Sequence, residues 1–231
     1  VRPEKHKNSG LISKTRGVFA IVTMLIMTLS FLTYGQNPEV RNAFRLIDIE
    51  QPNKGIAQLE KLAEDPKDAT FQYYLGLAYI RTGKNDKALP VFEKGINMDE
   101  KEGLNYAGKG HLKLLEKNAT EAKTLFDKAL QVSRSKDAAV LRAVAEGYLA
   151  DSKYVLDAIN LLTKARSINR EDPWTHIILG DAYLMQNNGG ESVSSYERAA
   201  SADPKNAKPF VKIAEVYQRS KNYDMVFQNL N

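Results

Sequence analysis

A repeat of about 34 residues, running from residue 69 to the end of the chain, most constrains what this sequence can fold into. A small residue recurs at nearly constant spacing, and in four of the five copies a tyrosine follows it three positions later. The recurring small residues are Gly76, Gly110, Ala145, Gly180 and Ala214, at spacings of 34, 35, 35 and 34. Such a period predicts similar supersecondary units that stack on one another, because one unit alone cannot bury its apolar face.

Each unit has a second half with its own recurring positions. They are Ala88, Ala122, Ala158, Ser192 and Val226, each followed four positions later by an aromatic residue or leucine. Turn-forming residues such as Gly83 and Gly189 separate the two halves. Within each half the apolar residues follow the i, i+3, i+4, i+7 spacing of an amphipathic helix. We therefore predict two antiparallel helices per unit, with small residues where the helices touch and aromatic residues in the wider gaps.

These residues resemble the tetratricopeptide repeat (TPR). The best copy is Leu75, Gly76, Tyr79, Ala88, Phe92 and Gly95, and the next is Leu179, Gly180, Tyr183, Ser192, Tyr196, Ala199 and Pro204. The resemblance implies an all-α fold, a right-handed superhelical solenoid of antiparallel helix pairs. The implied repeats are 69–102, 103–137, 138–172, 173–206 and a truncated 207–231, preceded by a degenerate pair at 36–68. We predict twelve helices in six pairs from residue 37 onward.

The first helix of the unit 103–137 leaves two registers open. In the register of the other units, Lys109 and Lys113 stand where the family keeps apolar residues. A shift of two residues instead gives an apolar stripe: Leu104, Ala107, Gly108, His111, Leu112 and Leu115.

The first 35 residues have the layout of a secretory signal. A basic stretch ends at Arg16, an uncharged stretch covers 17–32, and Thr33 and Gly35 fill the −3 and −1 positions. We predict cleavage between Gly35 and Gln36. An uncleaved anchor, with membrane contact only through 17–32, is the alternative, although sixteen helical residues span only ~24 Å of a ~30 Å hydrocarbon core. Both predict an exported protein, periplasmic or envelope-associated if the cell is bacterial.

Charge and composition exclude several function classes. The net charge is +5, of which residues 1–35 carry +4, so the remainder is nearly balanced and nucleic acid is not an expected partner. The chain has no cysteine, which excludes disulfides and a thiol nucleophile. The three histidines, His6, His111 and His176, are far apart in sequence, and no nucleophile motif is present. We predict no enzyme activity, no cofactor and no metal.

In the TPR family the first helix of each unit lines the concave side, so the resemblance implies a partner-binding groove there. The residues it assigns to that groove are Tyr73, Leu77, Arg81, Arg142, Glu146, Trp174, Ile177, Asp181, Met185, Lys208, Glu215 and Arg219. Their mixture of aromatic, aliphatic and charged groups suits a protein or peptide partner. Trp174, the only tryptophan, is either an exposed anchor at the centre of this groove or a residue packed at a repeat junction.

The leading functional hypothesis is a non-catalytic, exported TPR scaffold that mediates protein–protein interaction or complex assembly in the cell envelope. One alternative is the recognition or regulatory N-terminal part of a larger polypeptide whose activity lies beyond residue 231. A glycan-binding or small-ligand-binding solenoid is a third hypothesis, less favoured because the polar groups do not converge on one point.

Overall fold

The helix pairs that the repeat predicts are present in the structure, a computed structural model that describes residues 37–220. Over that range the chain forms eleven α-helices and no β-strand, which confirms the all-α solenoid. The helices are α1 (Pro38–Asp48), α2 (Pro52–Leu62), α3 (Thr70–Arg81), α4 (Asn85–Met98), α5 (Gly103–Leu115), α6 (Ala119–Val132), α7 (Ala138–Tyr148), α8 (Val155–Ile168), α9 (Pro173–Met185), α10 (Gly189–Ala202) and α11 (Lys208–Arg219). A 3₁₀ turn, Ser152–Tyr154, precedes α8.

Two predictions lie partly or wholly outside the described residues. The signal sequence and its junction between Gly35 and Gln36 precede them, and the twelfth helix would fall in 221–231. Along residues 37–220, no helix combines the length and hydropathy that crossing a membrane requires.

Side-chain caps fix the starts of several helices. Asn118 and Asn188 each accept a hydrogen bond from the backbone N–H three residues ahead, at the starts of α6 and α10. Asp137 and Asp172 accept backbone N–H bonds from the first turns of α7 and α9. Each cap satisfies helix donors that would otherwise lack a partner, so the turns between helices are specified locally by the sequence.

Glycine and an aromatic ring interlock inside three of the pairs, α3–α4, α5–α6 and α9–α10, as the repeat pattern predicts. A Cβ atom at Gly76 would overlap the ring of Phe92, and one at Gly180 would overlap the ring of Tyr196. Both rings are fully buried. The absence of a side chain at these positions therefore lets the two helices of a pair approach closely enough to enclose the ring.

The same contact decides the register of α5. A Cβ atom at Gly110 would overlap Phe126, which places Gly110 where Gly76 and Gly180 lie in their own pairs. The family register is therefore the one adopted. Its two lysines are accommodated by ion pairs at the edge of the helix, Lys109 with Glu93 at 2.9 Å and Lys113 with Glu116 at 3.0 Å.

Candidate partner-binding face

The array curls around an inner face formed by the first helix of each pair, α1, α3, α5, α7, α9 and α11. Contacts cross this face from α3 to α7, from α1 to α9 and from α1 to α11. All twelve residues that the sequence assigns to a groove lie on these helices, at three levels of exposure. Buried are Tyr73, Leu77, Arg142 and Ile177, between 1% and 6% exposed. Partly buried are Arg81, Glu146, Trp174, Asp181, Lys208 and Glu215, and exposed are Met185 and Arg219. The buried four are not available to a partner in this conformation.

Trp174 belongs to an aromatic cluster in the interior of the curl. Its ring meets Phe44 of α1 edge-to-face at a centroid distance of 5.0 Å and Tyr74 of α3 at 5.9 Å. The guanidinium of Arg142 lies over the indole at 5.2 Å. The sequence left two roles open for Trp174, an exposed anchor or a residue packed at a repeat junction. These contacts are those of a packed residue.

A buried ion pair, Arg142 with Asp172, lies beside this cluster, and both side chains are only 2% exposed. Burial opposes both charges, but the attraction between the two groups outweighs it, so the pKa of Asp172 lies below its usual value and that of Arg142 above. Asp172 also accepts a 2.6 Å hydrogen bond from the Thr175 hydroxyl. The pair therefore joins α7 to the start of α9, because the Asp172 carboxylate bonds Arg142 of α7 and Thr175 of α9 at the same time.

A second interior pair links α3 to α7. Arg81 Nη2 donates to Glu146 Oε1 at 2.7 Å, and His111 of α5 interacts electrostatically with both. Burial would raise the pKa of Glu146, but Arg81 and then His111 outweigh burial and hold it below its usual value. Burial lowers the pKa of His111, and Arg81 adds to that effect against the attraction of Glu146.

This arrangement predicts a pH dependence that His111 controls. Because its folded pKa lies below 6.5, the unfolded chain takes up the proton first, and stability is lost as the pH falls from about 6.5 through the folded pKa. His111→Gln is expected to flatten that slope between pH 7 and 5 in urea unfolding.

The measured quantity is the free energy of unfolding as a function of pH, and its slope is compared between the variant and the parent chain. The comparison is needed because burial raises the pKa of Glu102 to about 7, so ionisation of that group makes stability fall as the pH rises. Identical slopes for His111→Gln and the parent would contradict the assignment.

Contacts between the first helix and the last repeats close the curl. Arg45 donates two hydrogen bonds from Nη2 to the carboxylate of Asp203, at 2.7 and 2.8 Å. Lys208 Nζ donates to Asp48 Oδ1 at 3.0 Å. These two ion pairs and the Phe44–Trp174 contact are called the closing contacts below.

The closing contacts leave little free volume beside Trp174. The cavity bounded by Phe44, Arg81, Trp174 and Lys208 measures about 20 Å³, room for about one water molecule and too small for a side chain of a partner. The accessible part of the inner face is therefore the region of α9 and α11 beyond the closing contacts. Met185 is 43% exposed there, and Asp181 and Lys212 form a 3.5 Å ion pair across the two helices.

Sequence reasoning missed the α1 residues Phe44, Arg45 and Asp48 and their partner Asp203. The first pair matches the repeat pattern only weakly, and Asp203 reads as part of an Asp-Pro junction. No local signal marks these residues, because their partners lie about 130 to 160 positions away. Among residues 37–220, no group of three or more histidine, aspartate or glutamate side chains is placed to hold a metal ion.

Comparisons with known proteins agree with this architecture. Residues 46–101 match the family model described as tetratricopeptide repeat. The chain is 27% identical over 115 residues to tetratricopeptide repeat protein 1 of Schizosaccharomyces pombe, an alignment that covers 49% of this chain and 11% of that protein.

Solved structures share the fold at low sequence identity. Human IFIT1, as a dimer with m7Gppp-AAAA, has a TM-score of 0.62 at 17% identity, and the match covers 83% of this chain and 47% of the IFIT1 chain. A thermophilic TPR protein of Thermus thermophilus has a TM-score of 0.58 at 18% identity, and the match covers 78% of this chain and 97% of the Thermus chain.

The chain thus spans less than half of IFIT1 and about a tenth of the yeast protein. Identities this low establish the fold alone. Together with the repeat and the helix pairs, they show that residues 37–220 have an all-α solenoid fold that resembles the tetratricopeptide-repeat structures.

Proposed function

We propose that this chain is a non-catalytic scaffold that binds a protein or peptide partner through the accessible part of its inner face. The observation that carries the proposal is the exposed surface of α9 and α11, where Met185 stands beside charged groups of both signs. An apolar side chain ringed by polar groups is the usual composition of an interface centre and its rim. Arg219 is exposed and Glu215 half-buried on α11, and they extend this surface.

The charge pattern supports a protein partner over a nucleic acid. Most cations of the inner face already have a carboxylate partner: Arg45 with Asp203, Arg81 with Glu146, Arg142 with Asp172, Lys208 with Asp48 and Lys212 with Asp181. A phosphate backbone binds through cations that are free to neutralise it. An RNA ligand of the kind named with the IFIT1 structures would have to break these pairs.

A peptide library displayed on phage tests this proposal while the partner is unidentified. Peptides selected on the full chain are expected to bind Met185→Glu at least about tenfold more weakly, since a carboxylate replaces the apolar centre. The matched control is Leu156→Glu, which makes the same kind of change at a residue 66% exposed on α8. Peptides whose affinity falls with Leu156→Glu and not with Met185→Glu would contradict the proposed face.

The proposal includes an extracytoplasmic location, periplasmic or envelope-associated in a bacterial cell. The basic, apolar and small-residue layout of residues 1–35 supports it. N-terminal sequencing of the protein recovered from the cell envelope should begin at Gln36, and a protein found only in the cytoplasm with residues 1–35 attached would contradict export.

A further inference from the structure

A cleft of about 540 Å³ opens where the ends of α8 and α10 meet the first turns of α9. Three arginines line it, Arg166, Arg170 and Arg198, together with Glu171, His176 and the side chains of one threonine and two serines. It shares no residue with the inner face. Its volume lies in the range of pockets that hold small molecules.

Within the described part of the chain the three guanidinium groups have no ion-pair partner. Among residues 37–220, no carboxylate lies within ion-pair distance of Arg166, Arg170 or Arg198, in contrast to the cations of the inner face. Arg166 lies in the last turn of α8, where a cation stabilises a helix C-terminus. That explanation does not cover Arg170, which follows the helix, or Arg198, which precedes the last turn of α10.

His176 provides a second, independent observation. It is 4% exposed, and its Nε2 donates to the carbonyl oxygen of Arg170 at 2.8 Å, which holds the loop that carries Arg170. Because a carbonyl oxygen only accepts, the proton of a neutral ring lies on Nε2, and Nδ1 is left as an acceptor. Nδ1 is buried and has no partner within the described residues, which is uncommon for a buried polar atom.

We propose that this cleft binds a phosphate monoester of a small organic molecule. Three arginines against Glu171 give the lining a net charge of +2, which matches the charge of about −2 on such a group. Guanidinium groups donate two parallel hydrogen bonds to phosphate oxygens, so three of them can engage all the terminal oxygens. The cleft is larger than a phosphate alone, so it has room for the organic part of the ligand.

Calorimetry with the full chain tests this site. The probes are O-phosphoserine and glycerol 3-phosphate, with serine and glycerol as phosphate-free controls at matched ionic strength. Both phosphate esters are expected to bind and the controls are not. Arg170→Gln and Arg198→Gln should each raise the dissociation constant by about tenfold or more, since each removes a charge-assisted contact.

Lys164→Gln is the matched control, because Lys164 is an exposed cation of α8 that does not line the cleft. This variant should have a dissociation constant within about twofold of the parent chain's value. Absence of binding by either ester, or equal weakening by Lys164→Gln and the arginine variants, would overturn the proposal. Binding to phosphatidic acid vesicles alone, without binding to the soluble esters, would also overturn it in favour of a membrane contact. None of these results bears on Met185, so the two proposals fail separately.

Discussion

Arg142→Met is expected to lower the free energy of unfolding by about 3–5 kcal/mol. The change removes the only counter-charge of Asp172 that the described residues provide, and it leaves that carboxylate 2% exposed at the start of α9. It also removes the cation from the face of the Trp174 ring. Urea unfolding followed by circular dichroism measures the loss.

The double variant Arg142→Met/Asp172→Asn is the control for this prediction. Asparagine is as good an N-cap as aspartate and carries no charge, so the double variant should recover most of the lost stability. Lys164→Met, a loss of an exposed cation, should change stability by less than about 0.5 kcal/mol. A loss of less than about 1 kcal/mol in Arg142→Met would show that the pair is not buried in solution.

Trp174→Ala is expected to cost about 3 kcal/mol, the lower end of the range for a buried aromatic residue, because the indole is only partly buried. It removes the ring that Phe44 of α1 and Tyr74 of α3 both contact. Met185→Ala on the same helix is the control and should cost much less, since Met185 is 43% exposed.

Indole fluorescence of the parent chain gives an independent reading of the same prediction. Packing against two aromatic rings predicts a blue-shifted emission that acrylamide quenches poorly. A red-shifted and readily quenched emission, together with an unchanged melting temperature in Trp174→Ala, would instead identify Trp174 as an exposed anchor for a partner.

The parts of this fold that could be predicted from sequence are those specified by short-range contacts. Gly76 and Phe92 lie sixteen positions apart, within one pair, so their repeated spacing predicts their contact directly. The two-residue ambiguity in α5 arose because lysine can occupy a face that is otherwise apolar. Its long stem packs while the ammonium reaches a carboxylate such as Glu93, and hydropathy alone does not reveal that.

The candidate site was harder to predict because it depends on how tightly the array curls. That curvature is the sum of small rotations between successive repeats, and no single residue encodes it. The family pattern places Tyr73 and Leu77 on the concave side, but here both are buried, and α7 lies close enough to α3 for Glu146 to pair with Arg81. Exposure on the inner face therefore follows from the whole array, which is why only its far end at Met185 and Arg219 stays open.

The closing contacts also change how such an array comes apart. In an open stack of repeats each unit touches only its neighbours, so the ends can unravel while the middle stays folded. Arg45 and Asp203, 158 residues apart, make the first pair a neighbour of the last ones, so within residues 37–220 neither end can unravel without breaking a contact with the other. Unfolding is therefore expected to be cooperative across all the described repeats and not only between neighbouring ones. Because contacts so distant in sequence carry a large loop-closure cost, the chain should stack its repeats first and join their ends last.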